Sequence, residues 1–181
     1  FRRAIPHYGL VQHSVATIIT SAGCRDVVEI GTGAGNTTKA LLQSNENIRV
    51  VSVDNEPRML QQARRELGMY VENGKLTLVE SDALSYLESI PPNSIDGIAS
   101  AFTIHNFKQE YRQHFFKQAF LALRFNGIVV NADKYAPDDD NEYRRAFAAE
   151  MKLLREAVKD RWELAGKDDT EIFNAWRQHY I

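Results

Sequence analysis

The chain has 181 residues, 44% hydrophobic and 25% charged, values typical of a globular protein that exclude a disordered or fibrous chain. Its net charge of −2, from 22 basic and 24 acidic side chains, gives no broad attraction to nucleic acid. No apolar run approaches the roughly 20 residues of a membrane-spanning helix, and Cys24, the one cysteine, excludes an internal disulfide and a zinc–thiolate cluster.

Short apolar runs alternate with helical patterns along most of the chain, which is typical of a parallel sheet covered by helices. An N-terminal helix is predicted over residues 10–20, and a core of strands and helices over residues 26–135. Five runs are too short for helices and are predicted as strands. They cover residues 27–30, 49–53, 76–79, 95–101 and 127–132. The predicted class is therefore α/β, with helices on both faces of the sheet.

Helices are predicted between these strands, over residues 36–43, 57–67, 83–87 and 108–125. In the last of them, aromatic and aliphatic side chains recur every three or four residues, which predicts a broad face toward the sheet. These side chains are Tyr111, Phe115, Phe116, Ala119, Phe120 and Leu123. Asn126 and Gly127 tolerate a positive φ and are predicted to end this helix.

After Pro137 the pattern becomes helical throughout. The aspartates at 138–140 favour a helix start, because carboxylates stabilise the N-terminus of a helix. Apolar side chains then recur at helical spacing as far as Trp162, and a last helix follows Gly166. This pattern predicts a C-terminal helical segment over residues 138–181. Its apolar stripe is interpreted as packing onto the sheet, with a substrate lid and a dimer surface as alternatives.

The sharpest motif is a glycine-rich turn between the first strand and the helix that follows it. Gly31, Gly33 and Gly35 allow the backbone to turn sharply and to approach a ligand. No lysine stands in register for a P-loop, and Asn36 occupies the last glycine position of the dinucleotide fingerprint. The pattern that remains, G-x-G-x-G with Glu29 two positions ahead, is that of S-adenosylmethionine sites.

Acidic residues follow the next two predicted strands. Asp54 ends the second strand, where a carboxylate can accept hydrogen bonds from both hydroxyls of a ribose. Asp82 follows the third strand and could accept from an adenine amine while the Ala83 N–H meets a ring nitrogen. Asp82 is also a good helix cap, and both roles can hold together. Because parallel strands end at one edge of a sheet, we expect these groups to converge.

Together these motifs, over residues 27–132, resemble the class I S-adenosylmethionine-dependent methyltransferases. The resemblance implies binding of S-adenosylmethionine, methyl transfer, and a Rossmann-like sheet of seven strands whose last two form an antiparallel hairpin. No segment here is a candidate for that hairpin, so we expect it to be missing from the chain. The residues that the resemblance assigns to the cofactor are Glu29, Gly31, Gly33, Asp54, Asn55, Asp82 and Ala83.

A narrower resemblance connects the chain with the carboxy-S-adenosylmethionine synthases of tRNA wobble-uridine modification. The segments that carry it are residues 3–8, 53–60, 102–107 and 133–135. It implies that Tyr8 lies over the cofactor and adds Thr32 and Ala101 to the cofactor site. Those enzymes have a cysteine at the position of Thr32 and an asparagine at that of Ala101. The departures indicate kinship in architecture and leave the reaction open.

Methyl transfer demands little acid chemistry, because the thioether that leaves needs no protonation. Alignment of the acceptor with the carbon–sulfur axis can supply most of the catalysis. The aromatic candidates for surrounding the positive sulfur are Tyr8, Phe102 and Tyr135. An acceptor that is a hydroxyl or an acidic amine also needs a base, and His105, just after the fourth strand, is the first candidate. His7 and His13, beside the N-terminal helix, are weaker candidates.

Three functions remain open on the sequence. The leading prediction is a methyltransferase acting on a small-molecule acceptor, favoured by the near-neutral charge and the helical cover. The alternatives are an enzyme like carboxy-S-adenosylmethionine synthase and a partner subunit that holds the cofactor without turnover. We expect one domain over residues 1–181, in the cytoplasm, able to form a homodimer and without membrane or metal partners. Because the chain begins at Phe1 without a methionine or a signal peptide, we expect a trimmed form of a longer protein.

Overall fold

The structure, a computed structural model, describes residues 8–133 together with positions 139, 141, 142, 144–146, 148, 149 and 152. The chain divides into two compact units, one of Gly9–Lys134 and one of Phe1–Tyr8 with Tyr135–Ile181. The elements described below belong to the first unit, apart from Tyr8 at the start of its first helix. The single domain expected over residues 1–181 stays a prediction.

Strands and helices alternate along the first unit. In chain order the elements are α1 (Tyr8–Ser21), β1 (Asp26–Ile30), α2 (Asn36–Ser44), β2 (Arg49–Asp54), α3 (Pro57–Glu72), β3 (Leu76–Glu80), α4 (Ala83–Ser89), β4 (Ile95–Ala101), a 3₁₀ turn (Ile104–Asn106), α5 (Gln109–Ala122) and β5 (Leu123–Ala132). The predicted bounds of the first four strands hold to within one residue, because their short apolar runs are bounded by polar residues and glycines.

The five strands form one parallel sheet in the order β3-β2-β1-β4-β5. After β3 the chain crosses back to the other side of β1, so the strand order reverses between β1 and β4. In open α/β sheets, ligands bind in the crevice at the carboxyl ends of the strands where this reversal occurs. The arrangement confirms the predicted α/β class and directs attention to the ends of β1, β2 and β4.

Two hydrophobic cores cover the two faces of the sheet. On one face, Val27 of β1 packs in a cluster with residues of α1 and α2, among them Ile19 and Leu41. On the other, Val28 packs in a cluster with residues of α4 and α5, including the fully buried Phe115. Successive residues of β1 therefore point to opposite cores, which confirms the prediction of helices on both faces.

The prediction for the segment 108–125 was wrong at its C-terminal end. The helix ends at Ala122, and β5 begins at Leu123, which pairs with Ile95 of β4. The register then shifts before Gly97 pairs with Ile128. Asn126, expected to end the helix, instead has its positive φ of 64° inside this irregular part of the strand. Pairing with β4 outweighs the local helical pattern here, a tertiary effect that spacing does not reveal.

The predicted aromatic face of α5 is also narrower than expected. Phe115 and Ala119 are buried against the sheet, and Tyr111 is half-buried. Phe116 and Phe120, by contrast, are 40% and 79% exposed. Only one stripe of the helix therefore faces the sheet in this unit.

Beyond residue 133 the structure describes a few positions. Those at 141, 142, 144–146, 148, 149 and 152 are helical, as predicted for the start of the segment 138–181. The rest of that segment, where the missing hairpin would also be sought, lies outside the described residues. Among the residues that the structure describes, no helix is long and apolar enough to cross a membrane.

Candidate functional site

The glycine-rich turn connects β1 with α2 at the carboxyl edge of the sheet. Gly31, Gly33 and Gly35 have φ values of 84°, 48° and 81°, in the left-handed region that glycine adopts readily. The Gly31 N–H donates to the Val53 carbonyl at 2.8 Å, which ties the turn to the end of β2. A Cβ added at Gly33 would meet nothing within 4 Å, so the backbone there borders open space that a ligand could approach.

Asp54 lies directly against this turn, as the sequence predicted. Its Oδ2 accepts from the Gly33 N–H at 2.8 Å, and its Oδ1 accepts from the Glu56 N–H at 2.9 Å. A carboxylate has about four lone-pair positions, so each oxygen can accept one further hydrogen bond. Asp54 is half-buried and Asn55 is exposed, which leaves both at the surface of the crevice. The carboxylate can therefore hold the glycine turn and a diol at the same time.

Glu29 was assigned to the cofactor, but it lies beneath the turn with 0% of its surface exposed. Its Oε2 accepts from Thr38 Oγ1 and from Ser52 Oγ, each at 2.5 Å. Ser52 Oγ in turn lies 2.7 Å from Thr32 Oγ1, inside the glycine turn. In this conformation Glu29 has no surface from which to contact a ligand. Its observed role is to join β1, β2 and α2 below the turn, and Thr32 belongs to the same buried network.

The ionisation of Glu29 gives a testable prediction about stability. Burial, the largest influence, raises its pKa from 4.5 to about 7, although hydrogen bonds from Ser52 and Thr38 act to lower it. Between these two values the folded protein keeps a proton that the unfolded chain has released. The contribution to stability is thus full below the unfolded pKa and is lost as the pH rises through the folded pKa. We expect wild type to lose about 3 kcal/mol relative to Glu29→Gln between about pH 4 and pH 8.

Urea unfolding followed by circular dichroism at a series of pH values checks this difference. The exposed Glu46 provides the control, since Glu46→Gln removes a carboxylate of the same kind from a solvated position. Its unfolding free energy should run parallel to that of wild type over the whole range. Parallel curves for Glu29→Gln and wild type would show that Glu29 does not hold an additional proton in the folded state.

Asp82 ends the connection from β3 and caps α4, which was one of its two predicted roles. Its Oδ1 accepts from the Leu84 and Ser85 N–H groups at 3.0 and 3.1 Å. The Tyr111 hydroxyl, from α5, donates to Oδ2 at 2.7 Å. Burial acts to raise the pKa of Asp82, but these hydrogen bonds outweigh it and the pKa is lowered. Asp82 is exposed beside Ala83, so contact with an adenine ring is compatible with the cap.

Tyr111 was not predicted to take part in the site. Burial and the hydrogen bond to Asp82 raise its pKa to about 12, so the hydroxyl stays protonated and able to donate. Sequence spacing placed Tyr111 on the packed face of α5, which is correct, but gave no indication that its hydroxyl reaches α4.

The end of β4 packs directly against the glycine turn. Ala101 is its last residue, and Phe102 follows with a φ of 57°, which is unusual for a bulky side chain. Thr103 then lies over Gly31. A Cβ at Gly31 would overlap the Thr103 side chain, with Thr103 Cγ2 only 2.7 Å away. This close approach brings the segment after β4, including His105, to the same edge as the turn.

His105 is held by Asp133, the residue that directly follows β5. Asp133 Oδ1 lies 2.7 Å from His105 Nδ1, and Oδ2 accepts from the His105 backbone N–H at 3.0 Å. The Asp133 side chain is 1% exposed and that of His105 24%. Burial acts to raise the pKa of Asp133, but hydrogen bonds from His105 and Asn131 outweigh it and the pKa is lowered. Asp133 was singled out only within residues 133–135 of the narrower resemblance, and its contact with His105 was not predicted, although Asp133 lies at a strand end as Asp54 and Asp82 do.

The other residues that the sequence singled out are His7, Tyr8, His13 and Tyr135. Tyr8 opens α1 and belongs to the other compact unit, so its position over a cofactor stays a prediction. His13 is exposed on α1, where its Nδ1 lies 2.7 Å from the Gly9 carbonyl. His7 and Tyr135 lie outside the described residues.

Comparison with known proteins finds similarity to methyltransferases and to a carboxy-S-adenosyl-L-methionine synthase. A family model described as a methyltransferase domain matches residues 27–127, more than half of the chain. An uncharacterized methyltransferase of Geobacillus sp. (strain WCH70) is 28% identical over 156 residues, covering 86% of this chain and 65% of that protein. The carboxy-S-adenosyl-L-methionine synthase of Photorhabdus laumondii subsp. laumondii is 22% identical over 144 residues, covering 76% of this chain and 55% of that protein.

Among solved structures, the CcbJ methyltransferase from Streptomyces caelestis has a TM-score of 0.60 at 20% identity, covering 71% of this chain and 53% of that chain. At this identity the likeness concerns the fold. The chain spans less than two thirds of the length of each of these three proteins.

Proposed function

This chain belongs to the methyltransferase domain family, within the class I S-adenosylmethionine-dependent superfamily, and from this premise we propose that it transfers a methyl group from S-adenosylmethionine to a small-molecule acceptor. The observation that supports the proposal most is the 2.8 Å hydrogen bond from the Gly33 N–H to Asp54 Oδ2. It joins the two parts of the expected cofactor site, which the sequence placed on different strands.

The residues at this edge fit the chemistry of the cofactor. The open space at Gly33 admits a ligand close to the backbone, and Asp54 keeps acceptor positions for the two ribose hydroxyls. We assign the adenine ring to Asp82 and Ala83, which follow β3, and the other side of the crevice to Ala101 and Phe102, at the end of β4. When bound, S-adenosylmethionine supplies a methyl group on a positively charged sulfur. The residues of the chain then need to align the acceptor and exclude water.

A small acceptor is favoured over a nucleic acid by charge. The net charge is −2, so the chain has no broad excess of positive charge at neutral pH. Phosphate backbones are attracted by clustered lysines and arginines, and their affinity depends on such contacts. A chain with 22 basic and 24 acidic side chains instead favours an acceptor without a polyanionic backbone.

Calorimetric titration of the full chain with S-adenosylmethionine tests the first part of the proposal. We expect binding of one molecule per chain, tighter than about 1 mM, the weak end of the usual range for enzyme substrates. The second part is tested by incubation with methyl-labelled cofactor and pooled small metabolites, followed by mass spectrometry. A chain that binds no cofactor in the first measurement overturns the proposal.

The similarity to a carboxy-S-adenosyl-L-methionine synthase supports a second candidate reaction. An enzyme of that kind should convert the cofactor in the presence of prephenate, and the product would be heavier by a carboxyl group. Thr32 and Ala101, which depart from the pattern of those enzymes, weigh against it. Mass spectrometry of the nucleoside products after incubation with prephenate separates the two reactions, because methyl transfer leaves only the demethylated thioether.

A further inference from the structure

The contacts between His105 and Asp133 bear on which atom of the acceptor receives the methyl group. Asp133 uses both carboxylate oxygens on His105, at 2.7 Å to the ring nitrogen Nδ1 and 3.0 Å from the backbone N–H. Because Asp133 contacts both the backbone and the ring of His105, it fixes the position and the rotation of the imidazole. Since the pKa of Asp133 is lowered, the carboxylate is ionised and Nδ1 must carry the proton. The lone pair of the neutral ring is therefore at Nε2.

The pair also lies at the edge of the sheet that carries the glycine turn. His105 sits in the 3₁₀ turn after β4, two residues beyond Thr103, which touches the glycine turn at Gly31. Asp133 follows β5, the neighbour of β4 in the sheet. The ring keeps 24% of its surface exposed while the carboxylate behind it keeps 1%. A partly exposed imidazole backed by a buried carboxylate is an arrangement in which histidine can act as a general base.

We propose that the acceptor reacts through a hydroxyl oxygen, a phenol or an alcohol, and that His105 Nε2 removes its proton while Asp133 positions the ring. This inference rests on the proposed methyltransferase function and adds the class of its acceptor. Carboxylates are already ionised at neutral pH and do not need this base, whereas a hydroxyl or an acidic amine carries a proton that the base can remove. A phenol with a pKa of about 10 keeps its proton at neutral pH and gains from a base.

The step balances in atoms and charge. The acceptor oxygen forms a bond to the methyl carbon as the carbon–sulfur bond breaks, and the electron pair of that bond stays on sulfur. The hydroxyl proton moves to His105 Nε2. The products are a methyl ether, a neutral thioether and an imidazolium, whose charge Asp133 stabilises. Release of the Nε2 proton to solvent restores the base.

A purely structural pair is the alternative, since the same contacts tie the end of β4 to that of β5. The two roles differ in what they affect. A structural tie changes thermal stability and cofactor binding together, whereas a base changes turnover and its pH dependence. The tautomer of the ring provides a third, independent measurement, because it requires no acceptor.

The experiment uses the full chain with acceptor probes grouped by reacting atom: phenols and alcohols, carboxylates, amines and thiols. Turnover is followed as the thioether product and the methylated probe by mass spectrometry. We expect the hydroxyl probes to be methylated fastest. On the best of them, kcat of His105→Gln should fall about 10²- to 10⁴-fold, and its rate should rise steadily with pH, because ionised acceptor is then needed. Affinity for S-adenosylmethionine, measured by calorimetry, should stay within about threefold.

Two further variants complete the design. His114→Gln makes the same change in an exposed histidine of α5, whose Nδ1 lies 2.9 Å from the Glu110 carbonyl, and should leave turnover unchanged. Asp133→Asn should lower kcat at least about tenfold with a smaller effect on KM, because the ring can then adopt the wrong tautomer. ¹⁵N spectra of the imidazole should show the proton on Nδ1 in wild type and a changed tautomer in Asp133→Asn.

The outcomes are separable from those of the proposed function. Fastest turnover on amines, thiols or carboxylates, or a His105→Gln rate within about threefold of wild type, overturns the inference while methyl transfer stands. Failure of every hydroxyl probe with cofactor bound also overturns it. If His105→Gln lowers both the Tm and the affinity for S-adenosylmethionine, and its turnover falls no further than these losses explain, the pair is structural instead. Absence of cofactor binding by wild type overturns the proposed function itself.

Discussion

Asp54→Ala is expected to weaken the binding of S-adenosylmethionine about a hundredfold, or about 3 kcal/mol. The carboxylate has acceptor positions left for two ribose hydroxyls, and hydrogen bonds to a charged group contribute about 1.5–3 kcal/mol each, part of which water replaces. The variant also removes the acceptor of the Gly33 N–H, so the turn loses the contact that holds it against β2. Calorimetric titration of the full chain measures the change directly.

Glu46→Gln is the matched control for this variant. It removes one negative charge from the loop before β2, at the opposite edge of the sheet from Asp54. The length of β2 separates the two positions by roughly 20 Å, where a surface charge is largely screened. Its dissociation constant should match that of wild type. If Asp54→Ala stays folded and binds the cofactor within about threefold of wild type, the site lies elsewhere in the protein.

The Gly31→Ala variant should lose about 3 kcal/mol of folding free energy, the sum of two separate costs. A left-handed backbone costs a residue with a Cβ about 1–2 kcal/mol, and Gly31 has a φ of 84°. The new Cβ would also overlap Thr103, and overpacking of this kind costs about 1–3 kcal/mol. Thermal unfolding should register a fall of about 10 °C in Tm, judged from domains of similar size.

Gly33→Ala isolates the backbone part of this effect. Gly33 also has a positive φ, 48°, but a Cβ there meets nothing within 4 Å. We expect a loss of about 1 kcal/mol, from backbone strain alone. Combining Gly31→Ala with Thr103→Gly should restore about 2 kcal/mol, because the overlap is removed while the strain remains. Equal destabilisation by Gly31→Ala and Gly33→Ala would mean that Thr103 does not press on the turn.

The predictions for Asp54→Ala and Gly31→Ala concern the same feature, the place where the ends of β1, β2 and β4 meet. The turn after β1 is bonded to Asp54 at the end of β2 and covered by Thr103 after β4. A cofactor held by the first two contacts would lie next to the segment that carries His105. The architecture therefore brings the proposed cofactor site and the proposed base together without any contact between Asp54 and His105.

The sequence by itself determined the parallel sheet and the edge at which the candidate site lies. Short apolar runs fix the strands locally, and right-handed crossovers place their carboxyl ends at one edge, so Asp54 and the glycine turn had to converge. The same rule placed Asp82 and His105 at that edge. These inferences depend on residues near one another in the chain or on a geometry common to all such sheets.

Only the tertiary structure decided which side chains meet. Glu29 is covered by Thr38 of α2, Tyr111 of α5 reaches Asp82, and Asp133 holds His105. Each pair joins different elements, and its formation depends on how a helix or turn docks on the sheet, which periodicity does not specify. The boundary between α5 and β5 was likewise set by pairing with β4. Local sequence fixes which elements form, whereas the end of α5 and the hydrogen-bond partners follow from packing between distant segments.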